Sequence, residues 1–230
     1  MNRNTSGAVV RTAIFGALLG LCATQVVASA PPAFKIDPIT VTLGHGDGSA
    51  LVSVINQGDT KIRFQVTGAA WHQSVDGHIE LEQSPALVFF PTVFSVDAQE
   101  TKRIRVGVTV PAGNVERAYR LTIAQLPPLE QVIAPSKGAA VSTLLRVSVP
   151  VFVEPSAPAA GYDITQPVVS DGSLRFEFVN TGNVHILLNG VEVVGKDAAG
   201  ATTFDYKDNA WYVLAGGRRD FSFALRKSAC

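Results

Sequence analysis

Hydrophobic and polar residues alternate with a period of two through most of the chain after Pro31. The alternating runs are rich in β-branched residues and are bounded by Gly, Asp or Asn, which is typical of short antiparallel strands. No window after Pro31 keeps apolar residues at helical spacing over three turns. The pattern therefore predicts strands at 35–43, 50–56, 61–71, 78–82, 86–90, 102–110, 117–126, 139–153, 173–180, 185–195, 201–206, 210–214 and 219–226.

A Pro/Ala-rich stretch, PSAPAAG at 155–161, separates the longer early runs from the shorter later ones. Such a stretch is a plausible linker. Strands spaced by turns on both sides of it predict an all-β protein of two immunoglobulin-like β-sandwich domains joined by a short hinge. We place the N-terminal domain at 29–153 and the C-terminal domain at 154–230, which is slightly short for this architecture.

The first 28 residues have the composition of a cleavable signal peptide. Arg3 and Arg11 are the only charged residues, and an apolar run at 12–23 is followed by small residues ending at Ala28. The apolar run is shorter than the about 20 residues that a membrane-spanning helix needs. Cys22 raises the alternative of a lipoprotein anchor, which the preceding Leu21 disfavours. We therefore expect an exported protein that is cleaved after Ala28.

Charge and cysteine content exclude several classes of function. The chain has 19 Lys and Arg against 19 Asp and Glu, and removal of Arg3 and Arg11 leaves 17 against 19. A mature chain with a slight negative charge has no electrostatic footprint for nucleic acid or an anionic membrane surface. Cys230 is then the only cysteine, so no internal disulfide is expected. Cys230 is either a free thiol or followed by more chain, and in that case a last strand of the second domain is missing.

The run at 139–153 is the longest apolar strand pattern in the sequence. Its odd positions form one almost wholly apolar face, because side chains alternate across a strand. Pro150 has no N–H to donate to a ladder, which places its part of the strand at a sheet edge or a bulge. The residues alone leave two interpretations: a core strand covered by its own sheets, or an edge strand completed by a partner polypeptide.

Several motifs, in order, resemble the PapD-like periplasmic chaperones of pilus assembly. They are DPITVTL from Asp37, SVIN ending at Asn56, VFFP ending at Pro91, KRIRVGVTVPAGNVERAYRLTIAQLPP from Lys102, and VPVFVEP ending at Pro155. FVNTGNVHILLNGVEV from Phe178 and WYVLAG from Trp211 are similar to the archaic or spore-coat-type branch of the family. The resemblance covers nearly the whole chain after the signal peptide.

This resemblance implies a periplasmic protein that binds, folds and caps pilus or fimbrial subunits by donor-strand complementation. In the family, an edge strand of the chaperone fills the groove of a subunit that lacks its last strand. The matching groove-filling side chains would be Ala139, Val141, Thr143, Leu145 and Val147. Expected partners are the subunits and an outer-membrane usher, and a self-capping homodimer is also expected. No cofactor is expected.

One departure from the family concerns the basic pair that binds the subunit's C-terminal carboxylate. Thr40 and Pro150 occupy the two positions where the family has these basic residues. Arg146 lies on the same strand face as Pro150 and is our candidate for a carboxylate anchor, with an exposed strand arginine as the alternative. Arg105 and Glu116 match structural charges near the cleft between the family's domains.

The sequence gives little support for phosphate binding, metal binding or catalysis. GHGDGS at 44–49 is followed by a predicted strand rather than by the helix that a phosphate loop requires. The histidines lack metal-ligand spacing, and there is no nucleophile elbow. We therefore expect no enzyme and no metal site. The rival hypotheses are a fimbrial or coat structural subunit with an immunoglobulin-like fold, and a generic immunoglobulin-like binding module.

Overall fold

The computed structural model describes residues 34–44, 46, 48–74, 77–129, 143–209 and 211–225. The predicted signal peptide 1–28, the predicted strand residues Ala139 and Val141, and Cys230 lie outside this range. No helix within the described ranges is long and apolar enough to cross a membrane. The strands are β1 (Phe34–Asp37), β2 (Val41–Leu43), β3 (Ser49–Asn56), β4 (Ile62–Gln73), β5 (Ile79–Glu82), β6 (Leu87–Phe90), β7 (Val93–Val96), β8 (Thr101–Val108), β9 (Arg117–Leu126), β10 (Arg146–Val153), β11 (Tyr162–Ile164), β12 (Val168–Ser170), β13 (Ser173–Asn180), β14 (Ile186–Leu187), β15 (Val191–Lys196), β16 (Thr202–Asp208), β17 (Tyr212–Val213) and β18 (Arg218–Ala224).

Strands β1–β10 form a sandwich of two sheets. The four-stranded sheet has the order β1-β3-β8-β6, and the six-stranded sheet has the order β2-β10-β9-β4-β5 with β7 also paired to β4. Alternate side chains of both sheets meet in one core, as the period of two predicts. The core includes Val54, Ile104, Phe64 and Leu121, each of which is completely buried.

The predicted single run at 35–43 is divided between the two sheets, which corrects that prediction. β1 pairs with β3 in the four-stranded sheet, whereas β2 pairs with β10 in the six-stranded sheet. The chain crosses from one sheet to the other at Pro38–Thr40. Pro38 cannot donate a ladder hydrogen bond, and this explains why continuous strand pairing stops there.

Strands β11–β18 form a second, smaller sandwich. β13 pairs with β11 and β12 on one side and with β18 on the other. β14 pairs with β17, and β15 pairs with β16, in two further sheets of two strands each. Phe178, Val213, Phe221 and Phe223 are its buried core. The chain is therefore nearly all-β and has two immunoglobulin-like sandwiches, as the strand pattern predicted.

Each sandwich contains the same asparagine corner at the end of a central strand. The Asn56 amide donates to the carbonyl oxygens of Thr60, Val96 and Asp97. The Asn180 amide donates likewise to the carbonyl oxygens of Val184, Val213 and Leu214. In both corners the asparagine oxygen accepts from the glycine two residues later, Gly58 or Gly182. Both asparagines are buried, and each donates to one buried carbonyl, that of Val96 or Val213, which needs a partner within the protein.

We expect Asn56→Ala and Asn180→Ala each to lower the free energy of unfolding by about 2–4 kcal/mol, because buried carbonyls lose their donors. Urea unfolding followed by far-UV circular dichroism measures the effect. Asn189→Ala is the matched control, since Asn189 is exposed in the same sandwich as Asn180. Equal stability of Asn180→Ala and the control would contradict the structural role of the corner.

Candidate functional site

The two flanks of β10 differ in how far they are covered. One flank pairs with β9 along the whole strand, from Arg146 opposite Ala124 to Val153 opposite Arg117. The other flank pairs with β2 only at Val151–Val153. Within the described part of the chain, the second flank is therefore open from 146 to 150, a length of about 16 Å.

The register identifies the backbone groups on the open flank. The Gln125 N–H donates to the Leu145 carbonyl, so odd positions of this segment bond toward β9. The Glu154 N–H donates to the Leu43 carbonyl, so even positions point toward β2 and the open flank. Arg146 and Ser148 therefore present their backbone groups outward, and Pro150 presents only a carbonyl. This placement agrees with the edge position predicted from Pro150.

The side chains at odd positions are buried at the C-terminal end of this segment and exposed at its N-terminal end. Val149, Val151 and Val153 are buried in the first sandwich, and Val147 is half-buried against the same core. Leu145 is 40% exposed, and Thr143 is exposed. The apolar row predicted from the alternation thus extends beyond the edge of the sandwich that it helps to fill.

Within the described residues, β10 covers only part of the predicted strand 139–153. β10 starts at Arg146, and Thr143–Leu145 precede it outside the strand, although the Leu145 carbonyl still accepts from the Gln125 N–H of β9. Its partner β9 extends to Leu126, which the register places opposite position 144. The Gln125 side-chain oxygen accepts from the Leu145 N–H at 3.3 Å, so a side chain continues the pairing by one residue.

The even face of β10 meets an aromatic cluster that joins the two sandwiches. Phe152 is completely buried against Trp71 of β4 and Tyr212 of β17, with ring centroids 5.8 and 5.5 Å away. The His185 ring stacks on Phe152 at 3.7 Å. The Gln73 amide donates to the Tyr212 carbonyl and accepts from the Leu214 N–H.

The two predicted structural charges lie in different places. Glu116 is buried, and both of its carboxylate oxygens are 2.9 Å from His185 Nδ1, which joins the first sandwich to the second. The His185 N–H also donates to this carboxylate. Arg105 is exposed on β8, and its guanidinium donates to the Ser49 hydroxyl at 3.0 Å. The structure does not bring Arg105 and Glu116 together.

Arg120 of β9 is the residue that the sequence reasoning missed. It is 4% exposed, and its guanidinium carbon lies 3.7 Å from the centre of the Trp71 ring. In the described residues, the buried side-chain nitrogen atoms without a hydrogen bond are Nε and Nη2 of Arg120 and Nε1 of Trp71. Burial lowers the pKa of Arg120, although nearby Tyr212 acts in the opposite direction. The cation–π contact compensates only part of the cost of an unpaired buried charge.

Arg120 lies where the open flank ends. It is directly opposite Pro150 in the β9–β10 register. The Thr40 hydroxyl, immediately before β2, is 3.4 Å from the Tyr212 hydroxyl, and the Tyr212 ring is 5.9 Å from the Arg120 guanidinium. Of the two positions that lack the family's basic residues, Pro150 thus lies beside Arg120, and Thr40 is connected to Arg120 through Tyr212.

Arg146, the predicted carboxylate anchor, is distant from this point. It is exposed, and it is four residues along the sheet and one strand away from Arg120. Strand geometry separates their backbones by about 14 Å. Arg146 and Arg120 are therefore not neighbours in the sheet.

A shallow cleft of about 360 Å³ lies next to the aromatic cluster and is lined by Trp71, Gln73, Glu116, Arg117 and Tyr119, among others. Its charged groups already have partners, because Glu116 binds His185 and the Arg117 guanidinium donates to the Pro111 carbonyl. In the part of the chain that the structure describes, no three His, Cys, Asp or Glu side chains are grouped to hold a metal ion.

These features define a class: a two-domain, immunoglobulin-like β protein with an open sheet edge beside the contact between its domains. Residues 33–159 match the family described as pili and flagellar-assembly chaperone, PapD N-terminal domain. This range is more than half of the chain, and the chain belongs to that family. No curated protein matches.

Solved structures of the same fold span most of the chain. The CsuC–CsuE chaperone–tip adhesion subunit complex from the archaic chaperone-usher Csu pili of Acinetobacter baumannii matches with a TM-score of 0.59, 18% identity, and coverage of 85% of this chain and 89% of that chain. The Salmonella enterica SafA pilin–SafB chaperone complex matches with a TM-score of 0.56, 16% identity, and 87% coverage of both chains. The E. coli chaperone DraB matches with a TM-score of 0.55, 16% identity, and coverage of 84% of this chain and 86% of that chain.

We expect Arg120→Met to stabilise the isolated protein by about 1–4 kcal/mol, because an apolar side chain of similar length removes an unpaired buried charge. The urea midpoint of unfolding measures the change, and Arg103→Met, on an exposed position, is the control. A midpoint lower than that of the control would mean that the stacking on Trp71 stabilises Arg120 more than burial destabilises it.

Proposed function

We propose that this protein is a periplasmic chaperone that binds, folds and caps pilus or fimbrial subunits by donor-strand complementation. The observation that carries the proposal is the open flank of β10, where the unpaired backbone of Arg146 and Ser148 adjoins an apolar row that emerges from the core. An extended polypeptide would complete the sheet through its backbone, while alternate side chains supply specificity.

The proposed groove-filling side chains lie on the core face at and before β10. Leu145 and Thr143 are exposed and free to enter a partner, and Val147 is half-buried at the boundary. Ala139 and Val141 remain proposed members of the same row. Val149 and those beyond it already fill the protein's own core, so the donated part ends near Val147. Burial of each aliphatic side chain in the partner would contribute about 1.5–3 kcal/mol to the free energy of binding.

The surroundings of the open flank favour one direction for the bound strand. β2 runs parallel to β10 and begins where the flank ends. A strand added parallel to β10 would lie in line with β2, and its C-terminus would point at Thr40, Tyr212 and Arg120. An antiparallel strand would instead bring a cationic N-terminus to the unpaired Arg120. The charge therefore favours the parallel orientation.

We propose Arg120, rather than Arg146, as the group that binds the subunit's terminal carboxylate. A guanidinium forms short, charge-assisted hydrogen bonds with a carboxylate, and Nε and Nη2 are the free donors. The aromatic rings around it exclude water and strengthen such a bond. Arg146 is then an exposed arginine along the path of the bound strand.

Several finer elements of the proposal follow from the family. SafB was solved with the SafA pilin, and CsuC with a tip subunit, which supports subunits of this kind as partners. We also propose signal-directed export with cleavage after residue 28, domains at 29–153 and 154–230, transfer of the subunit to an outer-membrane usher, and a self-capping homodimer without subunit. The family assignment does not favour the rival structural subunit.

We expect Leu145→Asp to abolish co-purification of the subunit from periplasm while the variant remains folded, because a charge cannot enter an apolar groove. Mass spectrometry of the material bound to wild-type protein identifies the subunit. Leu51→Asp is the control, since Leu51 is 47% exposed on β3 of the other sheet. Undiminished subunit binding by Leu145→Asp would refute the donor assignment.

A second test uses the carboxylate. We expect Arg120→Met to weaken binding of a subunit whose C-terminus is free by about tenfold to a hundredfold, as loss of a desolvated charge pair predicts. A subunit extended by two glycines should bind wild-type and Arg120→Met equally weakly, because its carboxylate no longer reaches the site. Equal affinity of wild type and variant for the native subunit would exclude Arg120 as the anchor.

A further inference from the structure

Three exposed apolar side chains belong to the segments next to Thr40 and Tyr212, whose hydroxyl groups lie 3.4 Å apart. Ile39, before β2, is 74% exposed; Leu187 of β14 is 47% exposed; and Trp211, before β17, is 49% exposed. Ile39 comes from the first sandwich, and Leu187 and Trp211 come from the second. Neither the family assignment nor the proposed donor strand accounts for these three residues, which we call the apolar rim.

Tyr212 connects the members of the rim. Leu187 is directly opposite Tyr212 in the β14–β17 pair, which puts both side chains on one face. The Trp211 ring is 5.5 Å from the Tyr212 ring in an edge-to-face arrangement. Ile39 immediately precedes Thr40, whose hydroxyl contacts the Tyr212 hydroxyl. Tyr212 itself is buried, and its ring is 5.9 Å from the Arg120 guanidinium, so the rim and the unpaired guanidinium have Tyr212 as a common neighbour.

We propose that the apolar rim receives the side chain of the last residue of the bound polypeptide and selects partners that end in an aliphatic or aromatic residue. This inference rests on the proposed function and adds a specificity determinant to it. With the terminal carboxylate on Arg120, the terminal side chain would lie close to Tyr212, next to which the rim supplies exposed apolar surface.

Charge and continuity identify the occupant. The unpaired arginine requires an anionic group, and the open backbone of β10 requires an extended chain that leads up to it. A polypeptide C-terminus supplies both. Other exposed apolar residues of the second sandwich, such as Val168 and Val169, lie on β12, which pairs at the opposite end of β13 from Asn180. They are not continuous with the flank.

Short acetylated peptides of alternating valine and threonine with one central lysine are the probe. They differ only at the C-terminus, which is leucine, asparagine or leucinamide. Leucine and asparagine have similar size and no charge difference, so their comparison isolates apolar burial. Partial burial of leucine predicts that the leucine peptide binds about fivefold to tenfold more tightly than the asparagine peptide. Trp211 fluorescence should shift to the blue on binding of the leucine peptide.

The variants separate the rim from the anchor. Leu187→Ser with Trp211→Ser should reduce the leucine preference to less than about twofold while leaving affinity for the asparagine peptide unchanged. Ile39→Ser is a second variant in case the double variant does not fold. Val168→Ser with Val169→Ser is the control, at exposed positions of the same sandwich, and should keep the preference.

The outcomes distinguish the two proposals. Binding that needs a free carboxylate and Arg120 but does not discriminate leucine from asparagine refutes the apolar rim and leaves the chaperone proposal intact. An unchanged preference for the leucine peptide in both rim variants likewise refutes the apolar rim. Absence of binding by every peptide, together with unchanged subunit binding by Leu145→Asp, refutes the proposed function and the rim with it.

Discussion

The structure depends on one constraint: every backbone N–H and C=O of β10 must find a hydrogen-bond partner, and the protein supplies partners on one flank only. β9 covers the strand completely, whereas β2 is short and covers Val151–Val153. β2 is short because the chain reaches it only after crossing from the other sheet at Pro38–Thr40. The same crossover that closes one end of the sandwich therefore leaves the rest of the flank to water or to another polypeptide.

Side chains alternate along β10, so its two faces have different roles. Odd side chains from Val149 onward anchor the strand in its own core, which keeps the open part rigid and extended. Even side chains end in Phe152, which packs with Trp71 and Tyr212 where the sandwiches meet. The half-buried His185 stacks on Phe152 in this cluster and binds the buried carboxylate of Glu116. The open flank is thus held at a fixed position relative to the second sandwich's aromatic residues, so a chain terminus can meet groups from both.

Local patterns in the sequence were sufficient to predict most of the strands, the two-sandwich fold and the edge position of Pro150, because each depends on alternation, turns or a missing N–H. They missed the short strands β7, β11 and β12, and they joined β14 and β15 in one predicted strand at 185–195. The crossover at Pro38 was not predicted, since a run such as 35–43 looks the same whether it stays in one sheet or changes sheets. Arg120 was missed for a related reason. Its role depends on facing Pro150 and Tyr212, which are 30 and 92 positions away in sequence, and no local pattern reports that proximity.

Arg120 also shows why stability and binding oppose each other at this site. An apolar residue in its place would suit the aromatic surroundings better, because a guanidinium buried without a counter-charge loses its hydration. The same desolvation makes a carboxylate bound there interact more strongly than it would at an exposed arginine such as Arg146. A protein selected only for its own stability would not keep this arrangement. An unpaired buried charge is expected in a protein that is most stable when a partner is bound. The free energy by which the charge destabilises the free protein then contributes to the affinity for that partner.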